Sequence, residues 1–187
     1  FDTLAKKAKE LKADLVVMGS HGASGVKETL LGSNTQKFIR HSGLPVLVVK
    51  NPLESFKIYH VAFASTFQHE GESAVYQQFR MMFDKQPFHT HFLLVNTPSH
   101  FVDTPTAEKR IETFLKDTWP SSYSTHIFND FSVEEGIVNF SQLHDVDLIV
   151  MATHGYGGMR RWIYHSTTEQ LINHAERPVL SFRLDDK

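Results

Sequence analysis

Apolar and polar positions run along this chain in two rhythms that take turns. Residues 2–13, DTLAKKAKELKA, put Leu4, Ala5, Ala8 and Leu11 on one stripe with lysines between. That spacing predicts an amphipathic helix. LVVM, residues 15–18, is a short apolar run with a β-branched centre. It predicts a parallel strand buried on both faces. PVLVVK at 45–50 reads the same way. Between these strands Ser33 or Asn34 is placed to cap a helix through about Ser42, and Gly43 to end it. Further on, KIYHVAFAS, FHTHFLLVN, SSYSTHIFN and DLIVM read as strands. GESAVYQQFRMMFDKQ, TAEKRIETFLKDTW and SVEEGIVNFSQLHD read as the helices between them. Strands alternating with helices through short loops predict an α/β fold with a largely parallel sheet.

The pattern also repeats. At an offset of 133 residues Asp14 falls on Asp147, Met18 on Met151, His21 on His154 and Gly25 on Gly158. The same register carries Ser33 onto Ser166, Thr35 onto Thr168, Ile39 onto Ile172 and Pro45 onto Pro178, without an insertion. A period this long matches a small domain rather than a solenoid repeat. The expected organisation is the C-terminal part of one domain at 1–50, a linker at 51–56 and a complete second domain at 57–187. The chain opens at Phe1 with no methionine, directly on a helix–strand pair. That start reads as the middle of a domain and suggests an N-terminally truncated tandem chain.

Composition narrows the classes. A net charge of −2 gives no electrostatic reason to expect a nucleic-acid partner. No apolar run is long enough to predict a membrane helix. The chain has no cysteine, which removes disulfides and thiol chemistry and fits a cytoplasmic setting.

The chemistry concentrates after LVVM. In an open parallel sheet, ligands sit at the carboxyl ends of the strands, where glycines let backbone N–H groups approach an anion. Here Gly19-Ser20-His21-Gly22 follows the strand, and Gly32-Ser33 opens the next helix. Ser33 can offer both its hydroxyl and its N–H. No lysine follows the second glycine step, so the loop is not a Walker motif, nor is it GxGxxG.

These residues resemble the ATP-binding universal stress proteins, whose motif is G-x2-G-x9-G-[ST]. Gly19, Gly22, Gly32 and Ser33 fit it directly, and GLPVLVVK is similar to the family's closing strand. The resemblance extends over the chain, with KIYHVAFASTF as the opening strand of the second copy. It implies a Rossmann-like α/β fold, an open five-stranded parallel sheet in the order 3-2-1-4-5. It implies ATP, with Mg or Mn, held by Gly19, Ser20, His21, Gly22, Gly32, Ser33 and Asn34. It also implies a homo-oligomer or an internal pseudo-dimer through the strands at 45–50 and 178–183, and a stress-response role.

The second copy departs from that motif. Thr66 stands at the family's aspartate position on the first strand, Ala152 replaces the first glycine and His165 the third. These departures predict that ATP binding belongs to the first copy, where in this chain the strands that would carry adenine recognition are missing; the alternative is that no nucleotide binds in this truncated form. Arg160 and Arg161 add charge that reads as a solvated face, while Trp162 and Tyr164 suggest an interface patch. His89 and His91 in FHTHF share one face of a strand; a polar sheet edge is the favoured reading over a metal site. The repeated His21 and His154 read as structural hydrogen-bonding groups. No nucleophile–base set is assembled by spacing, so binding is expected rather than catalysis, with slow ATP hydrolysis as an outlying reading. The alternative is a regulatory pairing module that binds no nucleotide.

Overall fold

The computed structural model describes residues 2–19, 32–51, 55–69, 71–154 and 161–184. Seven strands form one sheet in the order β1-β2-β7-β6-β3-β4-β5. They are β1 (Val16–Gly19), β2 (Val46–Val49), β3 (His60–Ala64), β4 (His89–Asn96), β5 (Tyr123–Asn129), β6 (Leu148–His154) and β7 (Val179–Leu184). The helices are α1 (Asp2–Glu10), α2 (Ser33–His41), α3 (Gly71–Met82), α4 (Thr104–Thr118), α5 (Val133–Leu143) and α6 (Arg161–His174).

The five strands from β3 onward are parallel and take the expected 3-2-1-4-5 order when numbered among themselves. The sheet as a whole departs from the expected open five-stranded parallel one. It has seven strands and is mixed, because β2 pairs antiparallel with β7 and brings β1 with it.

Strand alternation explains the two cores. On β3, Val61 and Phe63 point to one layer, and Ala62 and Ala64 to the other. Leu148 and Val150 on β6 join the first layer, Ile149 and Met151 the second. The first layer packs against Val75, Tyr76 and Phe79 of α3 and Ile111 and Phe114 of α4. The second packs against Phe38 of α2, Ile137 and Phe140 of α5 and Leu171 of α6. Central strands covered on both faces need apolar residues at consecutive positions, as their sequences supply.

Several backbone features recur at the 133-residue offset. Val16 N–H donates to Pro45 O, and Ile149 N–H to Pro178 O, each at 3.0 Å. Ala13 N–H donates to Ala8 O as Val146 N–H does to Ser141 O, again at 3.0 Å. Lys12 and Asp145 both adopt positive φ, 51° and 48°, after the preceding helix. All these pairs stand 133 residues apart. In the antiparallel seam Leu47 faces Leu180, its own counterpart at that offset, and Val46 and Val48 face Ser181 and Val179. Self-complementary pairing of this kind is what a two-fold relation produces.

One expected burial fails. LVVM was to be covered on both faces, yet Val17 is 61% exposed, whereas Val150, its counterpart, is fully buried. The reason is position: β1 is the sheet's edge, with β2 on one side only, while β6 lies between β3 and β7.

Candidate functional site

The loop proposed from sequence begins at β1 and ends at α2. Gly19 is the last residue of β1 and is exposed. Gly32 immediately precedes α2, with φ −56° and ψ 138°. Thr35, in the first turn of α2, is buried and donates its hydroxyl to the Gly19 carbonyl at 3.2 Å. That hydrogen bond ties the strand's carboxyl end to the helix N-terminus. The first helical bond runs from Gln36 N–H to Gly32 O, so the N–H groups of Ser33, Asn34 and Thr35 have no intrahelical acceptor. Among the described residues no side-chain cap is made to them. This corrects the expected cap: Gly32 takes the cap position and Ser33 is already helical, so neither Ser33 nor Asn34 caps the helix. The consequence favours a ligand. A helix N-terminus beside a strand's carboxyl end directs backbone donors and the positive end of the helix dipole to where an anion can sit.

Of the seven predicted site residues, Gly19 thus ends β1 and Gly32 precedes α2, the two elements joined by the Thr35 hydrogen bond. Asn34 is exposed on the first turn of α2. Ser33 opens that helix, its side chain lying outside the described residues. Ser20, His21 and Gly22 also lie outside them, as do the side chains of His154, Arg161, Trp162, Tyr164 and His165 and the whole of Arg160.

A second feature occupies the equivalent end of the sheet further along. A cavity of about 390 Å³ opens at the carboxyl ends of β3, β4 and β6. Strands depart in both directions from β3 there, which is the switch point where α/β sheets take ligands. Ala64, Ser65 and Thr66 form one wall, Met151 and Ala152 another, and Glu72 and Arg110 enter from α3 and α4. Glu72 is buried on the first turn of α3. Its carboxylate accepts the Ser65 hydroxyl at 2.5 Å and the His69 N–H at 3.3 Å. Burial pushes its pKa above the usual carboxylate range, with these two hydrogen bonds opposing the rise. Thr66 Oγ1 and Arg110 Nη1 are buried with no hydrogen-bond partner among the described residues. The sequence reading placed Thr66 and Ala152 at nucleotide-contact positions but did not pick out Glu72 or Arg110. Both sit on helices whose pitch alone does not show which residue enters a cleft.

His89 and His91 do lie on one strand face, and three more histidines join them, a grouping not foreseen from sequence because they come from four separate elements. Among the described residues no group of three potential ligands is arranged to hold a metal ion. Nor is any described helix long and apolar enough to cross a membrane.

An α/β sheet in this strand order, with a cavity at the carboxyl ends of its central strands, defines a Rossmann-like class. Comparison with known proteins narrows it. The family model described as the universal stress protein family matches residues 1–50 and 124–183, more than half of the chain. The chain belongs to the universal stress protein family. It is 47% identical over 49 residues to universal stress protein MJ0577 of Methanocaldococcus jannaschii, 26% of this chain and 30% of that one. A universal stress protein of Synechocystis is 25% identical over 178 residues, 91% of this chain and 58% of its own length. The chain thus spans between about a third and three-fifths of these relatives. A universal stress protein structure from Archaeoglobus fulgidus superposes with a TM-score of 0.73 at 20% identity, over 99% of this chain and 65% of that one. At that identity the likeness speaks for the fold.

Proposed function

We propose that this protein binds ATP between the carboxyl end of β1 and the N-terminus of α2 and acts as a regulatory stress protein. The observation that carries the proposal is the Thr35–Gly19 hydrogen bond, which ties Gly19 to the first turn of α2, where the N–H groups of Ser33, Asn34 and Thr35 have no intrahelical acceptor. Phosphates bound there would meet the N–H groups of Ser33 and Asn34, with Gly32 leaving space for close approach. A Mg or Mn ion accompanying the nucleotide belongs to the same reading. The proposal includes the organisation expected from sequence: the end of one domain at 1–50, a linker, and a second domain at 57–187. In that scheme the β2–β7 seam joins the two as a pseudo-dimer, with Leu47 opposite Leu180 on the axis.

Thermal denaturation with and without ATP tests the binding site. Saturating ATP at 100 times its dissociation constant stabilises a single-site protein by about 2.7 kcal/mol. A Gly32→Leu variant keeps a backbone conformation open to any residue, so it adds bulk without backbone strain. The expected result is a clear ATP-dependent rise in Tm for the parent protein and none for the variant. Equal rises in both would remove the site from this loop. No rise in either would leave the pairing module as the function.

A further inference from the structure

The amino ends of β3 and β4, opposite the cavity, carry a cluster of five histidines. His60 opens β3, His89 and His91 lie on β4, His126 on β5, and His144 caps the C-terminus of α5. His60 Nδ1 and His91 Nε2 are 3.1 Å apart, and His91 Nδ1 and His126 Nε2 are also 3.1 Å apart. The Ser124 hydroxyl lies 3.0 Å from His91 Nδ1, 2.8 Å from His126 Nε2 and 3.0 Å from His89 Nε2. His144 stacks on Phe140 at 4.1 Å, with its ring 5.0 Å from that of His126 and 5.5 Å from that of His91.

A nitrogen–nitrogen hydrogen bond needs one N–H and one bare nitrogen. A neutral imidazole supplies one of each; an imidazolium supplies two donors and no acceptor. The chain His60–His91–His126 can therefore carry at most one added proton; a second sets an N–H against an N–H and breaks one of the two hydrogen bonds. His91 uses both nitrogens, in two directions, and is buried. The two nitrogens of His91 are directed at two different rings, an arrangement suited to shared protons.

We propose that the cluster is an acid-sensitive latch, whose neutral rings hold β4, β5 and the end of α5 together and whose protonation releases that corner. The groups facing His91 are His60 from β3, His89 from its own strand, Ser124 and His126 from β5, and His144 with Phe140 from α5. No carboxylate forms an ion pair with these rings among the described residues. Asp147 spends an oxygen on the backbone N–H groups of Tyr59 and His60 at 2.8 and 2.9 Å, and Asp145, next to His144, is exposed. A proton arriving on the cluster thus meets other histidines and no compensating anion. The α5 C-terminus offers a partial negative charge to His144 alone.

The direction follows from linkage. Burial, then the neighbouring rings, lowers the His91 pKa to about 4, against 6.5 for a free histidine. Burial first, then nearby histidines, also lowers His89 and His126. Below pH 6.5 the open chain binds protons that the latched form refuses. Stability is therefore complete above that pH and is lost as the pH falls towards 4.

Hydrogen exchange read by mass spectrometry at pH 7.5 and 5.0, corrected for intrinsic rate, tests this on the parent protein and a His91→Gln variant. Glutamine keeps a donor and an acceptor but does not titrate. In the parent, the opening constant of β5 and the last turn of α5 should rise up to about 30-fold on acidification, beyond any change at the β2–β7 seam. In His91→Gln most of that rise should vanish. If that variant does not fold, His144→Gln, partly exposed, should reduce the rise in the same direction. An equal pH response in parent and variants overturns the proposal. So does zinc-dependent protection of the corner that is abolished by His91→Gln, which would assign the cluster to a metal.

Discussion

Two glycines show how differently one residue type is used in this protein. Gly43 follows α2 with φ +71°, and a Cβ built there would meet no atom within 4 Å. The demand is on the backbone alone, so Gly43→Ala should cost about 1 kcal/mol. Gly136 lies inside α5, where a Cβ would come within 2.5 Å of Val95 Cγ1 and 3.2 Å of Asp130 Cβ. Here the demand is space against β4. Alanine would gain about 1 kcal/mol of helix propensity, but overpacking costs about 1–3 kcal/mol. Gly136→Ala should therefore lower the urea-unfolding free energy, by up to about 2 kcal/mol; a stabilised variant would contradict the close packing. The role of Gly43 was legible in the sequence because helix ends announce themselves locally. That of Gly136 was not, since it is set by Val95, far away in the chain. The same limit hid Glu72, Arg110 and the histidine cluster, each defined by neighbours on other elements.

Among the elements, those with strong periodicity were readable to within a few residues. LVVM and DLIVM became β1 and β6, and GESAVYQQFRMMFDKQ contains α3. What periodicity could not tell was the place of each strand in the sheet. β1 and β6 have nearly the same sequence, yet one is an edge and the other is central. The difference gives a paired prediction. Val17→Thr, at a site 61% exposed, should change stability by less than about 0.5 kcal/mol in urea unfolding. Val150→Thr buries a hydroxyl in a fully covered position and should cost about 1–3 kcal/mol. Equal losses would mean that β1 is covered in solution as β6 is. The start of α2 was misread for a simpler reason: Gly32 takes the cap position in an extended conformation, one residue before Ser33.

For the whole molecule, the 133-residue offset in sequence sets the carboxyl end of β1 against that of β6, and the residues there differ. At the first, Gly19 is tied by Thr35 to the start of α2, which Gly32 precedes. At the second, Ala152 takes the place of Gly19, and Glu72 is buried in the wall of an apolar cavity. Ala152 carries a side chain where Gly19 leaves the backbone open to close approach, so the proposed ATP site is assigned to the β1–α2 connection alone. The alternating pattern and the glycine spacing singled out the β1–α2 connection as the candidate in the sequence. The Thr35–Gly19 bond that organises it was not legible there, because it crosses from helix to strand. Calorimetric titration with ATP tests the claim most directly, on the parent protein, Gly32→Leu and Ala152→Leu. The account predicts one ATP per chain in the parent and in Ala152→Leu, and none in Gly32→Leu. Two ATP per chain, or binding that survives Gly32→Leu and disappears in Ala152→Leu, would contradict it.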